Sequence, residues 1–296
     1  MIRVISPLLF CLFLFACNQD QSAFLRNLTK DAQNGLLDKP FIGSKEQVET
    51  IAKVIAGISE YSSIVILGEV GSGKKAIVEE VARLCSGLSV NKYPELKKIN
   101  LTNQIIVYFN VEKLAKSYGC KKITIKQFGN ELKKIQNKFG KKTVISISKL
   151  SLVIYNDKKN KTIDDKSLFV KNLLRDNNII LIADPYDIDI IDEDLASFVE
   201  VTTPVNWGKD DFRKIFNVWK NYLSQKRNII FNKHVFIDSE KSTGNSYMIV
   251  SLLNGAINEA KKKILEKDSN GRIIVKREHV ERYYYSRVYD RIIEKK

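Results

Sequence analysis

The most constraining feature of the sequence is a glycine-rich turn between an apolar run and a helical pattern. The run Ser63–Leu67 predicts a strand, the next eight residues read GEVGSGKK, and Ala76–Leu84 has helical spacing. This context is the one that a phosphate-binding loop needs, because backbone N–H groups and a helix N-terminus surround the anion while a lysine reaches the outer phosphates. The candidate nucleotide-binding residues of the loop are Gly68, Glu69, Val70, Gly71, Ser72, Gly73, Lys74 and Lys75.

The last position of this loop departs from the motif G-x-x-x-x-G-K-[ST]. Lys75 stands where a Ser or Thr hydroxyl would hold a magnesium ion. The loop therefore predicts phosphate binding, with ATP or ADP as the ligand, and makes magnesium a doubtful cofactor. The alternative is an unrelated glycine-rich turn, which would require three glycines and a lysine to fall at these offsets by chance.

The N-terminal segment predicts export and lipidation. Residues 1–16 have the pattern of a signal peptide, with Arg3 before an apolar run that is too short to span a bilayer comfortably. The run ends in LFAC, which resembles a bacterial lipobox, so Cys17 is the predicted lipidation site and residues 17–38 are predicted to form a tether with a weak helix. We expect a membrane-anchored, extracytoplasmic lipoprotein. An ordinary signal peptide, or an uncleaved anchor on the cytoplasmic face of the inner membrane, is the alternative.

The charge of the chain favours anionic partners in general. Its net charge is +15, from 49 basic and 34 acidic residues, and much of the excess lies between Val111 and Lys161. Such an excess promotes association with lipid headgroups, nucleic acid or acidic proteins. The lysines are spread over several predicted elements, however, and no aromatic-rich recognition motif accompanies them. A lysine-coated surface is therefore the preferred interpretation, and nucleic-acid binding is not expected.

Apolar runs alternate with helical patterns through the first two thirds of the chain. This alternation predicts an α/β fold with a parallel sheet covered on both faces, a three-layer architecture in which ligands bind at the carboxyl ends of the strands. Helical patterns dominate after Pro204, so we predict a nucleotide-binding domain over residues 39–205 and a small helical domain over residues 206–296. The predicted strands are Ser63–Leu67, Gln104–Phe109, Thr143–Ile147, Asn178–Ala183 and Phe198–Thr202.

Two motifs resemble those of a known family. The segment Pro40–Gly43 before a helix, together with the loop GEVGSGKK, is similar to the first ATPase module of Clp-type AAA+ unfoldases, which read P-x-I-G-R and G-E-P-G-V-G-K-T. Ser44 replaces the arginine of the first motif. The resemblance covers most of residues 38–265 and implies a P-loop AAA+ fold with a small helical lid. It adds Ile42 to the nucleotide-binding residues, makes Tyr118 a pore-loop candidate, and implies a homo- or hetero-oligomer whose protein partner is unknown.

The positions that this family uses for hydrolysis are not matched. The family places Asp-Glu at the end of a strand where this chain has Ser148-Lys149, and its two arginines before a phenylalanine align with Ala196-Ser197. A lysine already carries a proton at neutral pH and cannot accept one from water. Loss of one such group typically costs roughly 100- to 1,000-fold in rate. We therefore assign no catalytic residue and expect degenerate hydrolysis.

A second register keeps one acidic residue available for a metal. The apolar run of the fourth predicted strand ends at Asp184, which would bind magnesium if this were the metal strand. Pro185 follows it and is not a base, so even this register lacks a group to activate water.

Together these patterns predict a membrane-tethered nucleotide-binding or scaffolding module without efficient hydrolysis. The alternatives are an active Clp-type AAA+ ATPase that remodels proteins and a basic module that binds lipid or nucleic acid. Cys85 and Cys120 could pair in an exported domain, and no zinc or redox motif surrounds them. His234 and His279 are expected to be surface or packing residues.

Overall fold

The computed structural model describes most of the chain beyond its N-terminal segment. The described residues are 24–140, 142–154, 163–176, 178–184, 200–202, 209–232, 246–262 and 267–293. The predicted signal peptide and Cys17 lie outside them, as do Ala196-Ser197 and His234. Within the described part, no helix is long and apolar enough to cross a bilayer.

Strands and helices alternate along the chain. The strands are β1 (Leu25–Asn27), β2 (Ile64–Leu67), β3 (Ile105–Asn110), β4 (Ile123–Thr124), β5 (Thr143–Ser148), β6 (Val153–Ile154), β7 (Ile179–Ala183), β8 (Glu200–Thr202), β9 (Ile229–Phe231) and β10 (Ile273–Val275). The α-helices are α1 (Leu28–Gln33), α2 (Lys45–Ile55), α3 (Lys74–Cys85), α4 (Val111–Ser117), α5 (Ile125–Phe139), α6 (Ile163–Asp176), α7 (Lys209–Arg227), α8 (Ser246–Lys262) and α9 (Arg277–Ile293). Short 3₁₀ turns cover Val90–Lys92, Pro94–Leu96 and Leu150–Leu152.

The main sheet has the order β1-β3-β5-β7-β2-β8 and is parallel except for β1. All six residues of β5 are buried, as expected for a central strand with helices on both faces. Side chains that point to one face, among them Val107 and Ile145, share a core with Phe128 of α5 and Leu174 of α6. The α/β class with a mostly parallel sheet, predicted from the alternating pattern, is confirmed.

The parallel arrangement brings the carboxyl ends of five strands to one edge of this sheet, and four of these ends are followed directly by described residues. The residues that follow these ends are Gly68 after β2, Val111 after β3, Lys149 after β5 and Asp184 after β7. In parallel α/β sheets this edge is where ligands bind. The fold thus places the phosphate-loop sequence beside residues that are far away in the chain.

The segment before Asp38 differs in part from the predicted tether. Leu25–Asn27 pairs antiparallel with β3 at the sheet edge, and Leu28 and Ala32 of α1 are buried. Asn27 caps α1 by accepting a hydrogen bond from the Lys30 N–H at 2.9 Å. The weak helix expected here is present, whereas the three-residue strand was missed because it is too short to show an alternating pattern.

The described residues divide into two compact units. One contains the main sheet and its helices, with residues up to Asp38, Ser44–Glu69 and Lys74–Pro204; the other contains Lys39–Gly43, Val70–Gly73 and the chain from Val205 onward. The second unit has its own core, in which Leu253 and Ile257 of α8 pack with Val280 of α9. A parallel two-stranded sheet, β9 with β10, completes this unit. The prediction of helices after Pro204 missed β9, which has only three residues.

Candidate functional site

The phosphate-loop sequence has the backbone conformation that its glycines permit. Gly71 has a φ of 85° and Gly73 a φ of 100°, values that residues with a side chain rarely adopt. A Cβ at Gly73 would meet no atom within 4 Å, so the backbone angle rather than lack of space demands glycine there. The helix α3 begins at the next residue, Lys74.

Lys74 is buried and its ammonium group is fully engaged within the first unit. Its Nζ donates to the carbonyl oxygens of Gly68 and of Glu69, the latter at 2.8 Å. It also donates to Oδ1 of Asp184 at 2.9 Å. A buried ammonium group is expensive without a counter-ion, so Asp184 is what makes the position of Lys74 tolerable in the ligand-free chain.

Lys149 approaches the same carboxylate from the neighbouring strand. Its Nζ lies 2.9 Å from Oδ2 of Asp184, while its side chain remains 45% exposed. The backbone of Lys149 is left-handed, with a φ of 63°, which is uncommon for a residue with a long side chain. Strained backbone of this kind is concentrated at functional sites. Here it turns the chain sharply after β5 and keeps Lys149 at the carboxyl edge of the sheet.

The two lysines keep Asp184 ionised. Burial alone would raise the pKa of this carboxyl, but hydrogen bonds from Lys149 and Lys74 and their positive charges lower it below its ordinary value. At neutral pH the group is therefore a carboxylate shared between two ammonium ions.

A third lysine, Lys75, follows Lys74 in α3. The Nζ of Lys75 is 4.8 Å from the centre of the Tyr108 ring and 3.8 Å from Oε1 of Glu79. The Tyr108 hydroxyl is hydrogen-bonded to Oγ of Ser148 at 2.8 Å, immediately before Lys149. We call Lys74, Lys75 and Lys149 the lysine cluster. Sequence analysis missed Tyr108 and the Ser148 contact, because only the sheet register brings β3 and β5 together.

One polar group of the loop has no protein partner. Oγ of Ser72 is buried and has no hydrogen-bond partner among the described residues. Buried hydroxyl groups are nearly always satisfied, so an unsatisfied one calls for an explanation such as a ligand or a bound water.

The residues present do not fit a magnesium ion. Lys75 replaces the hydroxyl ligand of the motif, and both oxygens of Asp184 already accept from ammonium groups. No group of three or more His, Cys, Asp or Glu side chains that could hold a metal exists in the part of the chain described. A divalent cation at Asp184 would lie next to two positive charges, which Coulomb repulsion opposes.

The other predicted site residues are Ile42 and Tyr118. Ile42 packs against the core of the second unit. Tyr118 is the C-cap of α4 and is 42% exposed, and its hydroxyl donates to Oε1 of Glu131 at 3.0 Å. Burial, followed by this hydrogen bond and the charge of Glu131, raises the pKa of the Tyr118 phenol. Neither arrangement tests the expected roles, which remain predictions.

Cys85 and Cys120 are free thiols in the structure. Cys85 is buried near the end of α3, and Cys120 is exposed. Burial raises the pKa of the Cys85 thiol to about 12. His279 is fully buried and its Nδ1 accepts from the Lys276 N–H at 3.0 Å, so it packs in the second unit as one of the two expected alternatives.

Comparisons with known proteins bear on the fold. No protein-family model and no curated protein matches the chain. A Saccharomyces cerevisiae Hsp104 in an extended complex with casein superimposes with a TM-score of 0.55 at 17% identity, over 80% of this chain and 41% of that one. A closed-state Hsp104 with ATPγS and FITC casein gives 0.59 at 16% identity, over 90% and 45%. An S. cerevisiae Hsp104–ADP complex gives 0.53 at 17% identity, over 88% and 32%.

These similarities are structural, since fewer than one residue in five is identical. The chain spans less than half the length of the Hsp104 chains that it matches. The strand order, the loop between β2 and α3 and the match to Hsp104 agree with the predicted architecture. The chain has the P-loop fold of Clp-like AAA+ proteins.

Proposed function

We propose that this protein is a membrane-tethered AAA+-like module that binds ATP or ADP and does not hydrolyse ATP efficiently. The observation that carries the proposal is the place of Lys149. It follows β5, where the resemblance to Clp-type proteins requires the base that prepares water, and its ammonium group is bound to Asp184 at 2.9 Å. An ammonium group there can stabilise phosphate oxygens but cannot accept a proton.

Binding of a nucleotide is supported by the loop and by its helix. Gly71 and Gly73 have the positive φ angles that a phosphate-binding loop needs, and α3 begins directly after this loop, at Lys74. Two of the Hsp104 structures that share the fold are complexes with ADP or ATPγS. Because the fold and the loop both favour a nucleotide, we propose a nucleotide as the ligand.

Loss of turnover is supported by three separate substitutions at the catalytic positions. Lys75 removes the magnesium hydroxyl, Lys149 removes the base, and Ala196-Ser197 stands where paired arginines are expected. Because each group acts on the transition state, and each loss costs roughly 100-fold or more, their joint loss leaves little hydrolysis.

The tether rests on the lipobox-like ending at Cys17. Several acyl chains on one cysteine, each contributing about 0.8 kcal/mol per buried methylene, would anchor the protein firmly. A scaffolding role in a homo- or hetero-oligomer is part of this proposal, with the protein partner unassigned.

Binding is tested with the full chain purified in detergent. Equilibrium titration with a fluorescent ATP analogue should give saturable binding that Lys74→Ala weakens at least about tenfold, because one charge-assisted contact to phosphate is lost. Circular dichroism of the variant controls for folding. Binding that is absent, or unchanged in folded Lys74→Ala, contradicts the nucleotide-binding proposal.

The tether has its own test. Radiolabelled palmitate should be incorporated by the wild-type chain in bacterial cells and not by Cys17→Ala, and the variant should leave the membrane fraction. Equal labelling of both proteins would contradict lipidation at Cys17.

A further inference from the structure

We propose that the lysine cluster binds the triphosphate of a nucleotide in its metal-free form, with Lys75 and Lys149 supplying the positive charge that a magnesium ion supplies elsewhere. This inference deepens the proposed function and depends on it. It concerns the ionic form of the ligand, which the proposed function leaves open.

The charge of the lysine cluster is the first argument for metal-free binding. In phosphate-binding loops of the usual kind, the metal bridges the outer phosphates and neutralises their charge. The two lysines together carry the formal charge of one divalent ion. Lys75 has replaced the hydroxyl ligand of the metal, and Lys149 follows the strand expected to supply the acidic residues around it. Each change removes a ligand that a cation needs. Each also adds an ammonium group that can donate a hydrogen bond to a phosphate oxygen.

The geometry shows that two of the three ammonium groups already converge on one anion. Lys74 and Lys149 each approach Asp184 to 2.9 Å, on different oxygens of its carboxylate. A carboxylate and a phosphate both accept charge-assisted hydrogen bonds from ammonium groups through oxygens. Asp184 therefore occupies the place on Lys74 and Lys149 that phosphate oxygens would take, and the ligand would replace it there.

Lys75 is held close to the same residues by an aromatic support. Its ammonium group lies over Tyr108, whose hydroxyl is bound to Ser148, the residue before Lys149. Glu79 lies 3.8 Å from Lys75, a long ion pair on a lysine that is 48% exposed. Such exposed pairs contribute little, so Lys75 can turn to a phosphate at small cost.

Two features argue against an ordinary lysine-rich surface. Lys74 is buried, which a surface lysine is not, and Lys149 adopts a left-handed backbone that disfavours its side chain. A site with three ammonium groups, whose one nearby carboxylate already accepts from two of them, fits a bare oligophosphate better than its magnesium complex.

The test compares the same titration with and without a divalent cation. The full chain in detergent is titrated with a fluorescent ATP analogue, once in excess EDTA and once in excess magnesium. We expect affinity in EDTA to equal or exceed that in magnesium. Lys149→Asn should weaken binding in EDTA roughly tenfold or more, since it removes a charged contact while asparagine tolerates the left-handed backbone.

Two further variants sharpen the comparison. Lys262→Asn makes the same change of net charge at an exposed lysine of α8, and should leave binding in EDTA unchanged. Lys75→Thr restores the motif hydroxyl and removes one ammonium group, so it should shift the preference toward the magnesium complex.

The outcomes separate the two proposals. Binding that appears only with magnesium, or binding in EDTA that folded Lys149→Asn retains in full, overturns the metal-free inference and leaves nucleotide binding standing. No binding under either condition overturns both. If Lys262→Asn lost as much affinity as Lys149→Asn, the loss would come from overall charge, and this result would also overturn the inference.

Discussion

Lys149 and Lys74 bind the two oxygens of a single carboxylate, that of Asp184, each at 2.9 Å. Lys149 and Asp184 are separated by 35 positions in the chain, and Lys74 and Asp184 by 110. The parallel pairing of β5 with β7 and of β7 with β2 brings them together. Asp184 thus acts as an internal anion on the lysines that we expect to bind phosphate, and any anionic ligand must compete with it.

Because Asp184 competes with phosphate for the lysines, removal of its negative charge should raise the affinity for ATP. Asp184→Asn should tighten ATP binding several-fold in the absence of magnesium, because Lys74 and Lys149 lose the carboxylate that competes with phosphate, while the carbonyl oxygens of Gly68 and Glu69 still accept from Lys74. The same fluorescence titration measures it. Asp31→Asn is the matched control, since Asp31 is comparably exposed and also ion-paired, with Arg26, but lies in α1. Weaker binding by Asp184→Asn would show instead that Asp184 supports the ligand, as a metal-binding residue would.

A buried serine links β7 to the helix before it. Oγ of Ser63 donates to the Leu174 carbonyl oxygen at 2.6 Å and accepts from the Ile179 N–H at 3.1 Å. Ser63→Ala leaves both backbone groups without this partner, and should lower the free energy of unfolding of the sheet-containing unit by ~1–3 kcal/mol. Urea denaturation followed by circular dichroism measures the loss.

The control for this change is Ser117→Ala. Ser117 is exposed and its Oγ donates only within its own helix, to Leu114 O at 2.8 Å. Its replacement should change stability by less than about 0.5 kcal/mol. Equal effects of the two substitutions would mean that the Ser63 hydrogen bonds do not contribute as described.

Two glycines in helices should respond in opposite directions to alanine. A Cβ at Gly255 of α8 would lie 2.4 Å from the ring of Tyr283 of α9, whose hydroxyl is also bonded to Ser251. Gly255→Ala should therefore destabilise the second unit by separating α8 from α9. A Cβ at Gly129 of α5 would meet no atom within 4 Å, so Gly129→Ala should stabilise the first unit by about 0.5–1 kcal/mol. Thermal unfolding of both variants tests the pair, and destabilisation by both would contradict the close packing assigned to Gly255 alone.

Cys85 and Cys120 should differ in reactivity toward alkylating reagents over a wide pH range. Only the thiolate reacts, and burial raises the pKa of Cys85 to about 12, whereas Cys120 is exposed. Brief treatment with iodoacetamide at pH 7 and at pH 9 should modify Cys120 and leave Cys85 intact until the protein is unfolded. Peptide mapping by mass spectrometry reads each site. Protection of both cysteines that reductant removes would indicate the disulfide that the sequence left open.

Much of the fold could be predicted because long elements carry strong patterns. The run Asn178–Ala183 predicts β7, which begins at Ile179, and the spacing of Phe128, Leu132 and Ile135 predicts most of α5. The strands β1, β4, β6 and β9 have two or three residues each, which is too short to show an alternating pattern of apolar and polar residues. Their pairing depends on the tertiary structure.

The candidate site also could be predicted only in part. The loop from Gly68 to Lys75 is a local motif and could be found directly in the sequence. The contacts of Asp184 with two lysines, and of Tyr108 with Ser148, join distant segments and have no local signal. Sequence reasoning singled out Lys149 as a departure from a family pattern and Asp184 as a metal candidate in a second register, but their pairing required the sheet register.

The most direct test measures ATP binding and phosphate release on one preparation of the full chain in detergent, with Lys74→Ala treated in parallel. We expect saturable binding by the wild-type chain and no phosphate release above the background of Lys74→Ala, with or without magnesium. Magnesium-dependent turnover by the wild-type chain that Lys74→Ala abolishes would contradict this expectation.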